Sequence, residues 1–336
     1  MSRRKVRWGV LGVASIAVRR VIPAMQKGEW SEIAATASRD RRKAEEAARL
    51  LGIPKAYGSY AELLADPDIE AIYNPLPNHL HVPWSIQAAQ AGKHVLCEKP
   101  VGVNAAEVRV LLQERDRSAV KIGEAFMVRT HPRWLRTREL IWAGRIGDLR
   151  LVTASVGYSN RDAKNVRNIP AFGGGALLDI GCYPVTLSRF LFGEEPARVM
   201  GMIERDPEMK IDRLTSAMLE FRSGQSLFTC STQLAYHQRV VLLGTKGRME
   251  IEQPLNPGND RPSRILIDDD PSDSTGAGVT AEMIAACNQF TIQGDLFSKA
   301  ICEGGEVPVP LEDSVQNMAT IDAIFRSAES GKWEQP

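Results

Sequence analysis

Val6-Arg7-Trp8-Gly9-Val10-Leu11-Gly12-Val13-Ala14-Ser15-Ile16-Ala17 is the stretch from which the fold is read. The apolar run Val6 to Val13 follows Met1-Ser2-Arg3-Arg4-Lys5, is interrupted by Gly9 and Gly12, and is too short to cross a bilayer. No small-residue cleavage site precedes a polar start, so the run reads as a first strand and not as a signal peptide. Gly12 to Ala17 then leads into a helical pattern over Val18 to Lys27. The spacing of small residues matches a dinucleotide-binding turn at its first and third positions, with Ala14 at the second. Gly12 would make the tight turn, pyrophosphate would approach near Ala14, and helix-terminal N–H groups at Ser15 and Ile16 would face the phosphates.

Working outward, strand-like and helix-like segments alternate: Ile33 to Ser38 with Arg42 to Leu51, Ile69 to Tyr73 with Val82 to Ala91, and His94 to Cys97 with Ala105 to Arg117. Such alternation predicts βαβ units and a parallel sheet. The second strand ends in Ala37-Ser38-Arg39-Asp40, near where an adenosine ribose is read. Ser38 and Arg39 can accept a 2′-phosphate by charge-assisted bonds, which favours NADP over NAD. Asp40 is the ribose ligand instead if the strand ends one or two residues later. The third strand runs into Asn74-Pro75-Leu76-Pro77-Asn78-His79-Leu80-His81. Loops at the carboxyl ends of parallel strands line the ligand crevice, which makes Leu76, Pro77 and Asn78 cofactor-side residues. His81 is either a cofactor contact or a capping residue, whereas His79 reads as surface and His94 as structural.

Beyond residue 150 the grain changes. Leu149 to Tyr158, Ala197 to Glu204, Ser216 to Phe221, Gln225 to Leu234, Arg239 to Leu243 and Arg248 to Ile251 read as strands in near-consecutive order, with hairpins at 222–225 and 244–247. They predict a mostly antiparallel sheet carrying a helix from Gly175 to Phe192, with further helices near Ala281 to Glu303 and Leu311 to Ser330. The Asn256 to Gly278 stretch reads as a solvated loop around a short strand at Ile265 to Ile267.

The chain has 336 residues, too many for one ordinary core, and 43% hydrophobic residues are enough for two. Forty-two basic and forty-one acidic side chains leave a formal charge of +1 without like-charge blocks, so nucleic acid and membrane surfaces are not expected partners. Five cysteines, with no Cys-x-x-Cys spacing, predict reduced thiols in the cytoplasm and no metal site.

Two clusters carry chemistry. Glu98-Lys99-Pro100 follows the fourth apolar strand, and Gly173-Gly174-Gly175-Ala176-Leu177-Leu178-Asp179-Ile180-Gly181-Cys182-Tyr183-Pro184 lies in the second half. On a helix opened by the glycines, Asp179 and Tyr183 share one face. An unperturbed phenol, pKa about 10, is a poor base, but a neighbouring ammonium favours the phenolate. Tyr183 is therefore the expected acid/base, Lys99 its electrostatic partner and Asp179 an orienter of substrate hydroxyls. Arg129 and His131 come from the segment joining the two halves, and Asn165 and Arg167 from a polar loop before the glycines; Arg129, Asn165 and Arg167 are the candidate substrate contacts. Tyr158 and Tyr236 end strands, where they either stack on a sugar face or, as expected first, pack on the sheet.

Taken in order, the Gly12 turn, Ser38-Arg39-Asp40, Pro77-Asn78 with His81, Glu98-Lys99-Pro100, Phe126 to Trp134 and Gly173 to Pro184 resemble the Gfo/Idh/MocA oxidoreductase family over nearly the whole chain. Many members have Asp and, four residues on, His; Tyr183 at that position is similar instead to the branch of glucose-fructose oxidoreductase, dimeric dihydrodiol dehydrogenase and NADP-dependent D-xylose 1-dehydrogenase. The resemblance implies an α/β Rossmann domain, a doubly wound parallel sheet, at 1–124, and at 125–336 an α+β domain with an open, mostly antiparallel sheet through which subunits pair. It also implies that Lys99 contacts the nicotinamide ribose and the reacting hydroxyl, with Glu98 beside it on the cofactor. The expected protein is a cytoplasmic NADP-dependent oxidoreductase acting on an aldose or related cyclic polyol, as a dimer or dimer of dimers. A trans-dihydrodiol or anhydro-sugar oxidoreductase with the same site, and a dinucleotide-binding sensor without turnover, are the competing readings.

Overall fold

β1 (Val6–Leu11), β2 (Ser31–Ala37), β3 (Lys55–Tyr57), β4 (Ala71–Asn74), β5 (His94–Cys97) and β6 (Ile122–Glu124) form a sheet in the order β3-β2-β1-β4-β5-β6, every pairing parallel. These and all later details come from a computed structural model that describes residues 4–270 and 277–336. The leader reading at Met1–Arg3 and the centre of the 256–278 loop lie outside the described residues. Strands covered on both faces must be apolar throughout, and Trp8, Val10 and Leu11 are wholly buried. The connecting helices are a π turn at Ala17–Val21 running into α1 (Ile22–Met25), then α2 (Arg41–Leu51), α3 (Tyr60–Leu64), α4 (His81–Gln90) and α5 (Ala105–Ser118). Local caps set their starts: Asp40 accepts from the Arg42 N–H, Ser59 from Glu62 and Asn104 from Glu107. Strand order reverses between β1 and β4, and the crevice of such a sheet opens there, at the carboxyl ends.

The second sheet comprises β7 (Leu149–Ser159), β8 (Arg198–Arg205), β9 (Asp212–Glu220), β10 (Gln225–Ser231), β11 (Gln233–Gly244), β12 (Arg248–Glu252), β13 (Ser263–Asp268) and β14 (Thr280–Ile284). Its order is β14-β13-β12-β11-β7-β10-β9-β8, antiparallel except for β7 with β10. Val152, Ala154 and Val156 of β7, Phe228 and Cys230 of β10, and Ala217 and Leu219 of β9 are buried on one face. The period of two then puts Thr153, Leu227 and Met218 on the other face. Its helical elements include α6 (Pro132–Trp142) and a π turn at Leu177–Gly181 continuing as α7 (Cys182–Phe192), whose residues 182–191 are all buried.

Contacts divide the chain into 1–127 with 288–315 and 128–287 with 316–336. This differs from the expected partition at 124/125, which left 288–315 in the second domain. The cause is α8 (Gln289–Glu303), which covers the first sheet: the Trp8 Nε1–H donates to Ser298 Oγ at 3.0 Å, the Trp8 and Phe297 rings lie 5.6 Å apart, and Asp295 accepts from the Glu29 and Trp30 N–H groups. The helix expected from Ala281 starts only at Gln289, capped by Asn288, because Thr280–Ile284 pairs with β13. α9 (Leu311–Ser330) has the bounds expected from its periodicity. The expected strand Gln225 to Leu234 breaks at Thr232, and a new strand begins at Gln233. β3 and β6, three residues each, are too short for a periodic signal.

Candidate active site

Gly12 ends β1 with φ +85°, a conformation that glycine adopts without strain, and its N–H donates to the Ala37 carbonyl at 2.7 Å. A Cβ there would lie 3.1 Å from Leu76 Cδ2 and 3.6 Å from the Tyr60 hydroxyl, so the turn, the loop after β4 and α3 converge. The helical run begins at Ser15, one residue after Ala14, whose carbonyl accepts from the Val18 N–H. Its first-turn N–H groups are donors of the kind that bind phosphate. Ser38 is buried, and its hydroxyl accepts from the Asp40 N–H at 3.2 Å. Asp40 is turned into its own helix as the α2 cap, with Oδ1 3.1 Å from the Arg42 nitrogen. Arg39 is exposed beside Tyr60, whose phenol is pushed up by burial while the Arg39 guanidinium pulls it down. A guanidinium, a tight glycine turn and a helix N-terminus gathered at the switch point are a donor set that fits a dinucleotide bearing a 2′-phosphate.

The loop carrying Lys99 is held from three sides. The Tyr73 hydroxyl donates to Glu98 Oε1 at 2.6 Å, and the Val101 N–H donates to Glu124 Oε1 at 2.9 Å. His81 is fully buried, with Nδ1 2.7 Å from the Pro100 carbonyl and Nε2 2.6 Å from the Leu76 carbonyl. Burial pushes this imidazole down to about 4, while the Pro100 and Leu76 carbonyls at its two nitrogens act in the opposite direction. His81 is thus a strut between the loops after β4 and β5, with both ring nitrogens at backbone carbonyls. Asn78 opens a short 3₁₀ turn after Pro77, and Lys99 is half-buried.

In the second unit the three glycines lay the chain against 167–170: the N–H groups of Gly173, Gly174 and Gly175 donate to the Pro170, Ile169 and Arg167 carbonyls. Asp179 lies in the π turn, 8% exposed, with one oxygen 2.5 Å from the Tyr158 hydroxyl and the other 3.0 Å from Arg167 Nε. Tyr183 follows in the first turn of α7, 5% exposed. The expected pairing on an α-helix is therefore modified, since bonds in a π turn run from i to i+5; such turns recur at functional sites. Tyr158, expected first to pack on the sheet, belongs to the Asp179 cluster, while Tyr236 is exposed. Asn165 caps its own loop by accepting from the Arg167 N–H at 3.1 Å. Arg129 reaches α7, 3.2 Å from Thr186 Oγ1 and stacked 4.7 Å from the Phe190 ring centre. His131 is buried, its ring pushed down to about 4 by burial, and caps α6 by accepting from the Arg133 N–H. Tyr60, Glu124 and the Asp179 role of Tyr158 carry no local motif; only their position at a strand end or helix start marks them. Among the described residues no cluster of three His, Cys, Asp or Glu side chains is arranged to hold a metal, and no helix is long and apolar enough to cross a membrane.

Residues 6–126 match the family model described as an oxidoreductase family with an NAD-binding Rossmann fold, and residues 134–250 match the GFO/IDH/MocA C-terminal domain. The chain belongs to the GFO/IDH/MocA oxidoreductase family. Within it, the chain is 44% identical to an uncharacterized oxidoreductase of Rhizobium meliloti, over 98% of both chains. It is 38% identical to a D-xylose 1-dehydrogenase (NADP(+)) of Haloferax volcanii, over 96% of this chain and 98% of the relative. A crystal structure of a mutant 3-ketoreductase from Actinomadura kijaniata, in complex with TDP-benzene and NADP, superposes with a TM-score of 0.90 at 27% identity, covering 96% and 98% of the two chains. For a GFO/IDH/MocA protein, the β3-β2-β1-β4-β5-β6 sheet is the nucleotide-binding part and the eight-stranded sheet the C-terminal domain.

Proposed function

We propose that this GFO/IDH/MocA oxidoreductase is NADP-dependent and transfers a hydride between the nicotinamide and an aldose or related cyclic polyol. The observation that carries the reading is the capture of Asp40 as a helix cap, which leaves Arg39, next to Tyr60 and the Gly12 turn, as the side chain to meet a 2′-phosphate. The NADP in the names of the Haloferax and Actinomadura relatives supports it, and the xylose dehydrogenase supports a sugar substrate. Gly12, Ala14, Ser15, Ile16, Ser38, Arg39, Leu76, Pro77, Asn78 and Glu98 would hold the dinucleotide. When bound, the nicotinamide accepts or returns the hydride. Tyr183 moves the proton of the reacting hydroxyl, and Lys99 stabilises both the phenolate and the alkoxide that develops. Asp179, held in place by Arg167 and Tyr158, accepts hydrogen bonds from neighbouring sugar hydroxyls and so orients the ring. With one oxygen engaged by Tyr158 and the other by Arg167, Asp179 is suited to orienting the substrate, which favours Tyr183 as the proton carrier.

The test is NADP reduction and NADPH consumption over D-xylose, D-glucose, other aldoses and trans-dihydrodiols. Turnover is expected on a sugar, and Lys99→Ala should abolish it with the fold and Tm retained. A Lys99→Ala protein keeping most of its kcat overturns the assignment.

The exposed face of the eight-stranded sheet supports a homodimer. Met218, Leu227, Thr153 and Val241 lie opposite one another in register across four strands, half-buried or exposed, as a partly apolar row fit to receive its own copy. Sedimentation should give a dimer, and Leu227→Lys a monomer. All five cysteines are free thiols, three of them buried, which supports a reducing, cytoplasmic setting.

A further inference from the structure

Behind the glycine turn stands a carboxylate that neither substrate nor cofactor reading uses. Asp212 is the first residue of β9 and only 2% exposed. Its Oδ2 accepts the Leu177 N–H at 2.6 Å and the Thr215 hydroxyl at 3.1 Å. A Cβ on Gly175 would stand 1.8 Å from Asp212 Oδ1, and Gly175 holds φ +127°, so the turn is glycine where the carboxylate fills the space. Leu177 is the second residue of the continuous helical run 176–192, which places a negative charge at the positive end of its dipole.

This cap differs from the others in the chain. Asp40, Ser59, Asn104 and Asn288 each cap the helix that immediately follows them, whereas Asp212 reaches its helix from 35 residues away on another element. A serine or asparagine satisfies an N–H at lower desolvation cost than a buried carboxylate. Burial indeed pushes Asp212 up to about 6, against the Leu177 and Thr215 hydrogen bonds and the nearby Arg205. What the arrangement secures is attachment: Leu177 lies two residues before Asp179 and six before Tyr183, and β9 is separated only by β10 from β7, whose Tyr158 grips Asp179.

We propose that Asp212 is a positioning residue, anchoring the start of the helix that bears Asp179 and Tyr183 to the sheet that bears Tyr158, so that both groups keep one placement during turnover. The proposal rests on the hydride-transfer reading above, but its physical half does not. A misplacement of about 1 Å at a reacting centre can cost on the order of a hundredfold in rate.

The experiment compares wild type, Asp212→Asn, Asp212→Ala and Thr215→Val by hydrogen exchange over 176–187, by NADPH affinity, and by kcat and KM on the sugar that wild type turns over fastest. Exchange at 176–181 should accelerate in the order Thr215→Val, Asp212→Asn, Asp212→Ala. On the same scale kcat should fall about threefold, tenfold and a hundredfold, in keeping with the cost of misplacement. KM and the Kd for NADPH should stay within about twofold, the split that separates loss of transition-state contacts from loss of binding. Asparagine keeps an acceptor oxygen, so its partial rescue over alanine is part of the expectation. Exchange over 176–187 unchanged in the folded variants, or kcat and NADPH affinity lost together, overturns the proposal. Should the Asp212 variants not fold, Thr215→Val decides alone, because valine keeps the shape and removes only the hydroxyl. A wild type inert on every sugar and trans-dihydrodiol but with accelerated exchange in the variants overturns the hydride-transfer reading and leaves the anchor standing.

Discussion

Replacing Arg39 by alanine, set beside the same change at Asp40, separates the two ways in which the end of β2 can meet a nucleotide. Arg39 is exposed, next to Tyr60, and caps nothing; Asp40 spends Oδ1 on the Arg42 N–H at 3.1 Å. A charge-assisted bond to a 2′-phosphate is worth roughly 1.5–3 kcal/mol, so Arg39→Ala should weaken NADPH by about ten- to a hundredfold and leave NADH nearly unchanged. Because the guanidinium is exposed, the wild-type preference should shrink as salt is raised, and the variant should lose that salt dependence. Asp40→Ala removes a helix cap and should cost about 0.5–2 kcal/mol of stability while the NADPH/NADH ratio holds. Calorimetric titration of both nucleotides at two salt concentrations, with thermal unfolding of each variant, gives all four quantities. An unchanged nucleotide ratio in Arg39→Ala, or a ratio moved chiefly by Asp40→Ala, refutes the argument and makes Asp40 the ribose ligand.

Tyr183→Phe removes one hydroxyl from a buried ring and should lower kcat by about 10² to 10⁴ with NADPH affinity within about twofold; near-wild-type kcat takes Tyr183 out of proton transfer. Asp212 also makes stability depend on pH. Its folded value, about 6, lies above the ordinary aspartate value of 3.8, so its contribution is fully present below 3.8 and is lost as pH rises through about 6. Asp212→Asn, which cannot titrate, should therefore gain about 2 kcal/mol relative to wild type between pH 4.5 and 7.5, read from denaturant midpoints at the two pH values; a constant difference means that the carboxyl is not perturbed by burial.

The alternation of the first half is legible residue by residue, because strands covered on both faces must be apolar and the turns between them need glycine or proline. Val6 to Leu11 followed by Gly12, and Ile72 and Tyr73 followed by the prolines of 75–77, can form little else. Glu98-Lys99-Pro100 and the Asp179, Tyr183 spacing are visible for the same reason: each is a local pattern. Tertiary structure decided whatever depends on partners distant in sequence. Thr280–Ile284 has residues fit for either helix or strand, and pairing with β13 settles it. Asp40 and Arg39 are adjacent and both polar, and only the folded α2 shows that the Asp40 carboxylate caps it at the Arg42 N–H. His81 is a strut because two loops, 5 and 19 residues away, bring carbonyls to its two nitrogens. Tyr158 reaches Asp179 over 21 residues and Asp212 reaches Leu177 over 35, distances that sheet register closes. A hydrogen bond of that range leaves no periodic trace in the chain: local propensity chooses the element, and only the packed sheet chooses which side chains meet.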